Sequence, residues 1–229
     1  MHNFLFGIYP YIALSVLVIG SIARYETDPF TWKTSSSQLL RRKQLILGSV
    51  LFHLGILVIF VGHFVGLLTP IQIFDALGIS HTAKQLLAMG AGGIAGVLSL
   101  IGGLLLLHRR LFDSRIRKTS SFADIGILAI IVLQLILGIG TIFISAQHLD
   151  GEEMVRFMTW TQKIVTFRAG AAEEIADVAL IFKLHMFLGL TIFVLFPFTR
   201  LVHMLSAPIR YVLRPGYQIV RSRRRHPAE

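Results

Sequence analysis

Four histidines, His53, His63, His185 and His203, sit inside long apolar runs. An imidazole in hydrocarbon has lost its water and must find another partner, so ionisable groups at that depth mark candidate functional sites. Neutral imidazole is also a common ligand for iron, zinc and copper. His2, His81, His108, His148 and His226 lie at the termini or at the ends of the apolar runs, where water or headgroups satisfy them, and are not counted as ligands.

Spacing divides the four into two sites. Ten residues separate His53 from His63, which on a helix is about 15 Å of rise and leaves the rings about 80° apart. They cannot hold one metal. Eighteen residues separate His185 from His203, about 27 Å on an unbroken helix, again too far for one ion.

The helices that carry these rings follow from apolarity. The chain has 229 residues, of which 54% are hydrophobic and only 15% charged, more apolar surface than a soluble domain of this size needs for its core. A bilayer core about 30 Å thick takes roughly 20 apolar residues per helix. Five stretches qualify, at about 3–22, 45–69, 84–107, 123–146 and 178–205. Backbone groups cannot stay unpaired in lipid, and the alternation of a membrane β-barrel is absent. The expected fold is all-α, an integral membrane bundle of five transmembrane helices in one domain over 1–229, with a basic tail at 206–229. The first run has no basic stretch before it and no small-residue cleavage site after it, so it is read as a retained span.

Seventeen of the 22 Lys and Arg fall in the connections after spans one and three and at the C-terminal end from Arg200 onward. Positive charge collects on the cytoplasmic side, which places the N-terminus outside and the C-terminus in the cytoplasm. The net charge of +10 is accounted for in this way without nucleic acid. The tail suits anionic lipid. The stretch E-E-M-V-R-F-M-T-W-T-Q-K-I-V in the outer connection, about 147–177, mixes apolar and charged residues at helical spacing and is expected to lie as a helix on the membrane surface.

Direction then pairs the histidines. Span two runs outward and span five inward, so His53 and His203 fall near the cytoplasm while His63 and His185 fall near the outside. Two stacked bis-histidine sites would satisfy all four rings, and haem iron takes two axial nitrogens. Zinc or copper sites want more protein ligands than two. One mismatch stands: the helical rises differ by about 12 Å, which tilt and a kink at Pro197 must absorb. The alternatives are that each ring bonds a neighbouring helix or water, or that the four form a proton relay in a transporter.

There are no cysteines, which excludes thiolate-bound iron–sulfur clusters, cysteine-rich zinc sites and covalently attached haem in this chain. Gly55 and Gly62 beside the histidines, and Gly90, Gly92, Gly93 and Gly96 in span three, allow close approach of a flat ring or of another helix. Lys84, taken by itself, reads as a cation reaching from the end of span three to the interface.

Further motifs bring in a family. I-Y-P-Y-I-A at 8–13, L-F-H-L-G-I-L at 51–57, F-V-G-H-F-V-G-L-L-T-P at 60–70 and K-Q-L-L-A-M at 84–89 are joined by H-R-R-L-F at 108–112, S-A-Q-H-L-D-G at 145–151, and F-K-L-H-M-F-L-G through F-P-F-T-R-L-V-H at 182–203. Together they resemble the gamma subunit of membrane-bound respiratory nitrate reductase, a di-haem b-type cytochrome of the bacterial inner membrane. The resemblance covers nearly the whole chain; it lapses beyond Gly216 and in detail over 165–176.

The resemblance implies two haem b groups, a proximal one on His53 and His203 and a distal one on His63 and His185. It implies quinol as substrate near the distal haem on the outer side, with Lys84 important for its oxidation and Gly62 adjoining the pocket. It further implies that electrons pass inward through both haems to an iron–sulfur subunit and a molybdenum catalytic subunit in the cytoplasm, which reduces nitrate. The basic inner loops offer a docking face for such partners. A cytochrome b serving another quinone-linked reductase, for a sulfur compound or formate, has the same ligation and is the nearest alternative.

Overall fold

The computed structural model describes residues 1–32 and 40–206. The basic tail lies outside the described residues from 207 onward, as does Lys33 in the first connection. Among the described residues every regular element is helical, and five helices are long and apolar enough to cross a membrane.

The chain opens with a π-helical turn, Phe4–Ile8, that runs into α1, Tyr9–Thr27. Pro10, near the start of α1, has no N–H for the ladder, and the wide turn lies just before it. After α2, Arg42–Leu68, comes the short α3, Ile71–Ala76, and then the longest helix, α4, His81–Phe112. Ser80 caps α4 by accepting from the Ala83 N–H at 3.1 Å. A short α5, Ser114–Lys118, leads to α6, Phe122–Ser145, which starts in a capping box between Ser121 and Asp124. The outer-connection helix is α7, Glu152–Val165, and the last α-helix among the described residues is α8, Leu180–Leu195.

Packing runs in an open arc: α2 on α4, α4 on α6, α6 on α8, and α8 on α1. Helices in lipid gain nothing from burying apolar surface against each other, so small residues decide how closely they pack. The tightest seam is α2 against α4, where Gly102 lies against the backbone of Phe52 and Gly48, and Gly55 against Ser99 and Ala95. Gly96 and Gly93 meet Ile139 and Ile142 of α6. Gly55, Gly93 and Gly96 therefore serve helix packing. Large apolar side chains such as Leu54, Val61, Phe64, Leu87 and Ile94 stay exposed on the lipid-facing surface.

Two expectations about the elements are refined. The helix α7 covers the quoted amphipathic stretch, but it is fastened to the bundle as well as lying across its end. Met158, Trp160 and Ile164 are buried, the Trp160 indole donates to Phe6 O at 2.9 Å, and the Gln162 amide donates to Thr69 O at 3.1 Å. The fifth span is not one helix over 178–205. Pro197 cannot donate to the ladder, so α8 stops at Leu195 and a 3-10 turn, Phe196–Phe198, follows. Thr199 is extended (φ −123°, ψ −179°), and a second 3-10 segment, Arg200–Met204, carries His203.

Candidate functional site

The break at Pro197 changes the geometry of the histidines. His203 is not five turns further along the axis from His185; it hangs on a separate segment that turns after Thr199. The mismatch of rises expected for an unbroken helix is taken up there. The ring centres of His53 and His203 lie 6.2 Å apart, and those of His63 and His185 also 6.2 Å apart. The planes are inclined by 75° and 44° respectively. The pairing expected from helix direction is the pairing observed.

That separation has a chemical meaning. Ring pairs in ordinary contact have centres about 4.5–7 Å apart, and 6.2 Å lies in that range. A metal–imidazole bond is about 2.0 Å and the ring centre lies about 1.1 Å behind its nitrogen, so two opposed imidazoles on one metal put their centres about 6.2 Å apart. Both pairs have this spacing, although α2 and α8 do not pack along their lengths. The contact between the two helices is carried by side chains across a gap, with α4 and α6 completing the arc.

Proton placement agrees with ligation. His53 Nδ1 donates to Ser49 O at 2.7 Å, His63 Nδ1 to Ile59 O at 2.9 Å, and His203 Nδ1 to Arg200 O. A carbonyl only accepts, so in all three rings Nδ1 carries the proton and Nε2 keeps its lone pair. His185 differs: its Nδ1 is buried with no hydrogen-bond partner, and its Nε2 has only the Gln134 amide at 3.5 Å. A buried imidazole nitrogen left unpaired in an apolar bundle calls for a ligand. Among the described residues no cluster of three or more His, Cys, Asp or Glu forms a metal site, so the donor sets are pairs of imidazoles. That suits a metal whose remaining positions are filled by a macrocycle. The four residues fit haem.

Two residues that carried no weight in the sequence hold His185. A Cβ on Gly138 of α6 would lie 2.9 Å from His185 Cε1, so the glycine makes room for the ring. One turn earlier, the Gln134 amide donates to His185 O at 3.0 Å. Gln134 was visible in principle as an amide inside a very apolar span. Gly138 was not distinguishable from the many glycines that only pack helices.

Lys84 does not reach out to solvent, as its residue type suggested; it is 7% exposed. Its ammonium donates to Gly66 O at 2.9 Å, touches Met158 Sδ, and sits 3.9 Å from the centre of the Phe74 ring. It is thereby held by α2, α3 and α7 at the end of the bundle that carries His63 and His185. Its neighbour Gln85 is equally fixed: the amide donates to Ser145 O and His148 O, and its oxygen accepts from the Gly151 N–H. Gly62 and Gly66 lie one turn apart on α2 with nothing within 4 Å of where a Cβ would be. The strip of α2 beside His63 and the Lys84 anchor is open.

At the opposite end much of the basic charge is already engaged. Arg109 is 1% exposed and donates to Leu40 O at 2.6 Å. Arg41 pairs with Asp113 at 2.9 Å, and Arg200 lies 3.8 Å from Asp124. Hydrogen bonds from the Ile116 and Arg115 N–H groups, with Arg41 alongside, hold the Asp113 carboxyl below its usual range. Arg115, Arg117 and Lys118 remain exposed for a partner.

With this geometry in place, comparison with known proteins is specific. The sequence profile described as nitrate reductase gamma subunit matches residues 2–223. The chain is 52% identical over 223 residues to the respiratory nitrate reductase 1 gamma chain of Escherichia coli (strain K12), covering 97% of this chain and 98% of that one. It is 52% identical over 224 residues to the respiratory nitrate reductase 2 gamma chain of the same organism, covering 98% of each. With the nitrate reductase gamma chain of Bacillus subtilis (strain 168) it shares 41% identity over 219 residues, 96% of this chain and 97% of that one.

Proposed function

Since this chain belongs to the nitrate reductase gamma subunit family and is a multi-pass protein of the bacterial inner membrane, we propose that it holds two haem b groups and oxidises membrane quinol. In this reading His53 and His203 ligate one haem, and His63 and His185 the other. The observation that carries the reading is the identical 6.2 Å spacing of two histidine pairs across helices that do not otherwise pack. The bound haems supply one-electron carriers at two depths of the bilayer.

The protein's own part is positioning and proton control. Backbone carbonyls of Ser49, Ile59 and Arg200 fix three imidazoles with Nε2 presented, and an outer-shell bond of this kind also raises ligand basicity. At the α7 end, Lys84 holds quinol. Its ammonium has three donors, of which Gly66 O and Met158 Sδ occupy two. The third, with only the Phe74 ring beside the ammonium, is available to a quinol oxygen, where a fixed cation steadies the negative charge that grows as the hydroxyl proton leaves. Gly62 and Gly66, without side chains, leave the approach along α2 clear.

The positive-inside count puts the α7 end outside, with the N-terminus outside and the C-terminus in the cytoplasm. Protons from quinol then leave to the exterior while electrons go inward to an iron–sulfur subunit and a molybdenum nitrate-reducing subunit, and the membrane is charged. Exposed Arg115, Arg117 and Lys118 at the inner end suit such a partner.

Purifying the complex from membranes and measuring haem and molybdenum per gamma chain tests this. Two haems are expected, with His63→Ala and His185→Ala each losing the outer one and His53→Ala and His203→Ala each losing the inner one. Retention of both haems in all four variants would refute the ligand assignment, and co-purification with a catalytic subunit that does not reduce nitrate would refute the pathway.

A further inference from the structure

The segment that carries His203 is not part of α8 but a separate 3-10 turn of five residues, too short for its own hydrogen bonds to fix its place against the bundle. Three contacts converge on it from elsewhere in the fold. In the last turns of α1, Arg24 Nη1 donates to Pro197 O at 2.7 Å and to Thr199 O at 2.8 Å, the two carbonyls that flank Phe198 in the break. Gly20, one turn earlier on the same helix, lies so close to the Pro197 ring that a Cβ there would sit 2.8 Å from its Cγ. From α6, Asp124 faces Arg200 at 3.8 Å.

Arg24 is itself oriented. Its Nη2 donates to Thr31 O at 3.2 Å and its Nε to Thr31 Oγ1 at 3.3 Å, within the 3-10 turn Pro29–Thr31. The rigid fork of the guanidinium thus spans two turns of backbone, one on each side of it, which a single ammonium cannot do. Phe196, Leu201 and Val202 pack with Ile127 into a buried cluster. His203 follows Val202 directly, and its ring takes its orientation from Arg200 O inside the clamped segment.

We propose that Arg24 is a positioning residue for the His53–His203 site, clasping the carbonyls of Pro197 and Thr199 so that the turn after α8 delivers the His203 imidazole opposite His53. The assignment rests on the haem reading of that pair. It is local: His63 and His185 stand at the other end of the bundle, on segments that Arg24 does not touch.

The test compares Arg24→Ala, Arg24→Lys and His203→Ala in the full complex, read by haem per chain and by the electron paramagnetic resonance signals and midpoint potentials of the low-spin ferric haems. Arg24→Ala is expected to weaken or remove the same signal that His203→Ala removes and to leave the other unshifted. Arg24→Lys is expected to keep both haems while shifting that one signal. Both signals unchanged in Arg24→Ala while His203→Ala loses one would overturn the positioning role and leave the haem reading standing. If Arg24→Ala fails to assemble or loses both haems together, Arg24→Lys decides, and unshifted signals there overturn the proposal. Two haems retained in His203→Ala would overturn the ligand reading and this proposal with it.

Discussion

Gly138→Ala asks whether His185 is placed as the structure has it. The added Cβ would stand 2.9 Å from His185 Cε1, 3.5 Å from Nδ1 and 3.7 Å from Nε2. Ordinary carbon contacts are about 3.5–4.0 Å, so the ring must retreat by about 0.6–1.1 Å. A metal bond tolerates only about 0.2 Å of displacement. Rearrangements forced by one extra carbon in a packed interior typically cost about 1–3 kcal/mol. If His185 ligates a haem as proposed and that strain falls on it, affinity for that haem drops by about five- to 150-fold. The inner pair should be untouched, because His53 and His203 lie far along the bundle from Gly138. Haem per chain by pyridine haemochrome, with the resonance spectrum to identify which haem is lost, reads the result. Gly126→Ala on the same helix is the control, since nothing lies within 4 Å of its added carbon. A Gly138→Ala protein with two haems, unshifted signals and normal quinol oxidation would refute the reasoning.

Lys84→Ala should leave both haems bound and lower kcat/KM for quinol by about ten- to a hundredfold, the worth of one hydrogen bond from a charged group; loss of haem in that variant would make Lys84 a structural residue instead. Gly102→Ala should loosen the seam between α2 and α4, because its new carbon meets Phe52 and Gly48 backbone that cannot swing aside. A loss of about 3 kcal/mol or more, seen as a lower thermal midpoint in detergent, is expected, whereas Gly90→Ala, with open space around it, should have little effect. Glu153 on α7 supplies a pH dependence: burial, opposed in part by His148, raises its carboxyl above the ordinary 4.5. A raised folded value means the folded protein binds that proton more tightly, so stability is fullest below the ordinary value and declines as pH climbs through the raised one. Thermal midpoints across that window should fall for the native chain and stay flatter for Glu153→Gln.

Much of the candidate site was legible before any coordinates. Four imidazoles in apolar runs, two on each of two helices of opposite direction, already imply two paired sites, because an intramembrane polar group must be satisfied and helix direction sorts the residues by depth. The motifs around His53, His63, Lys84, His185 and His203 carried the family. Other features misled for physical reasons. Lys84, taken by residue type, looked like a side chain reaching out to solvent, because residue type and span position cannot tell that Gly66, Phe74 and Met158 close over it. Gly55 looked like a neighbour of the histidine site because adjacency along a helix says nothing about which face a residue takes; it faces Ser99 and Ala95 of α4. Arg109 looked like part of a docking surface, yet its side chain is buried.

Local composition and length against the bilayer were enough to give the five spans and to mark four imidazoles within apolar runs. Where the rings meet depends instead on contacts between distant segments. The level of His203 depends on where α8 stops, on the turn after Thr199 and on Arg24 reaching over from α1; the seat of His185 depends on the missing side chain of Gly138 on α6. Each of these is a contact between residues far apart in the chain, and no pattern within a single helix encodes the partner that a distant segment will bring to it.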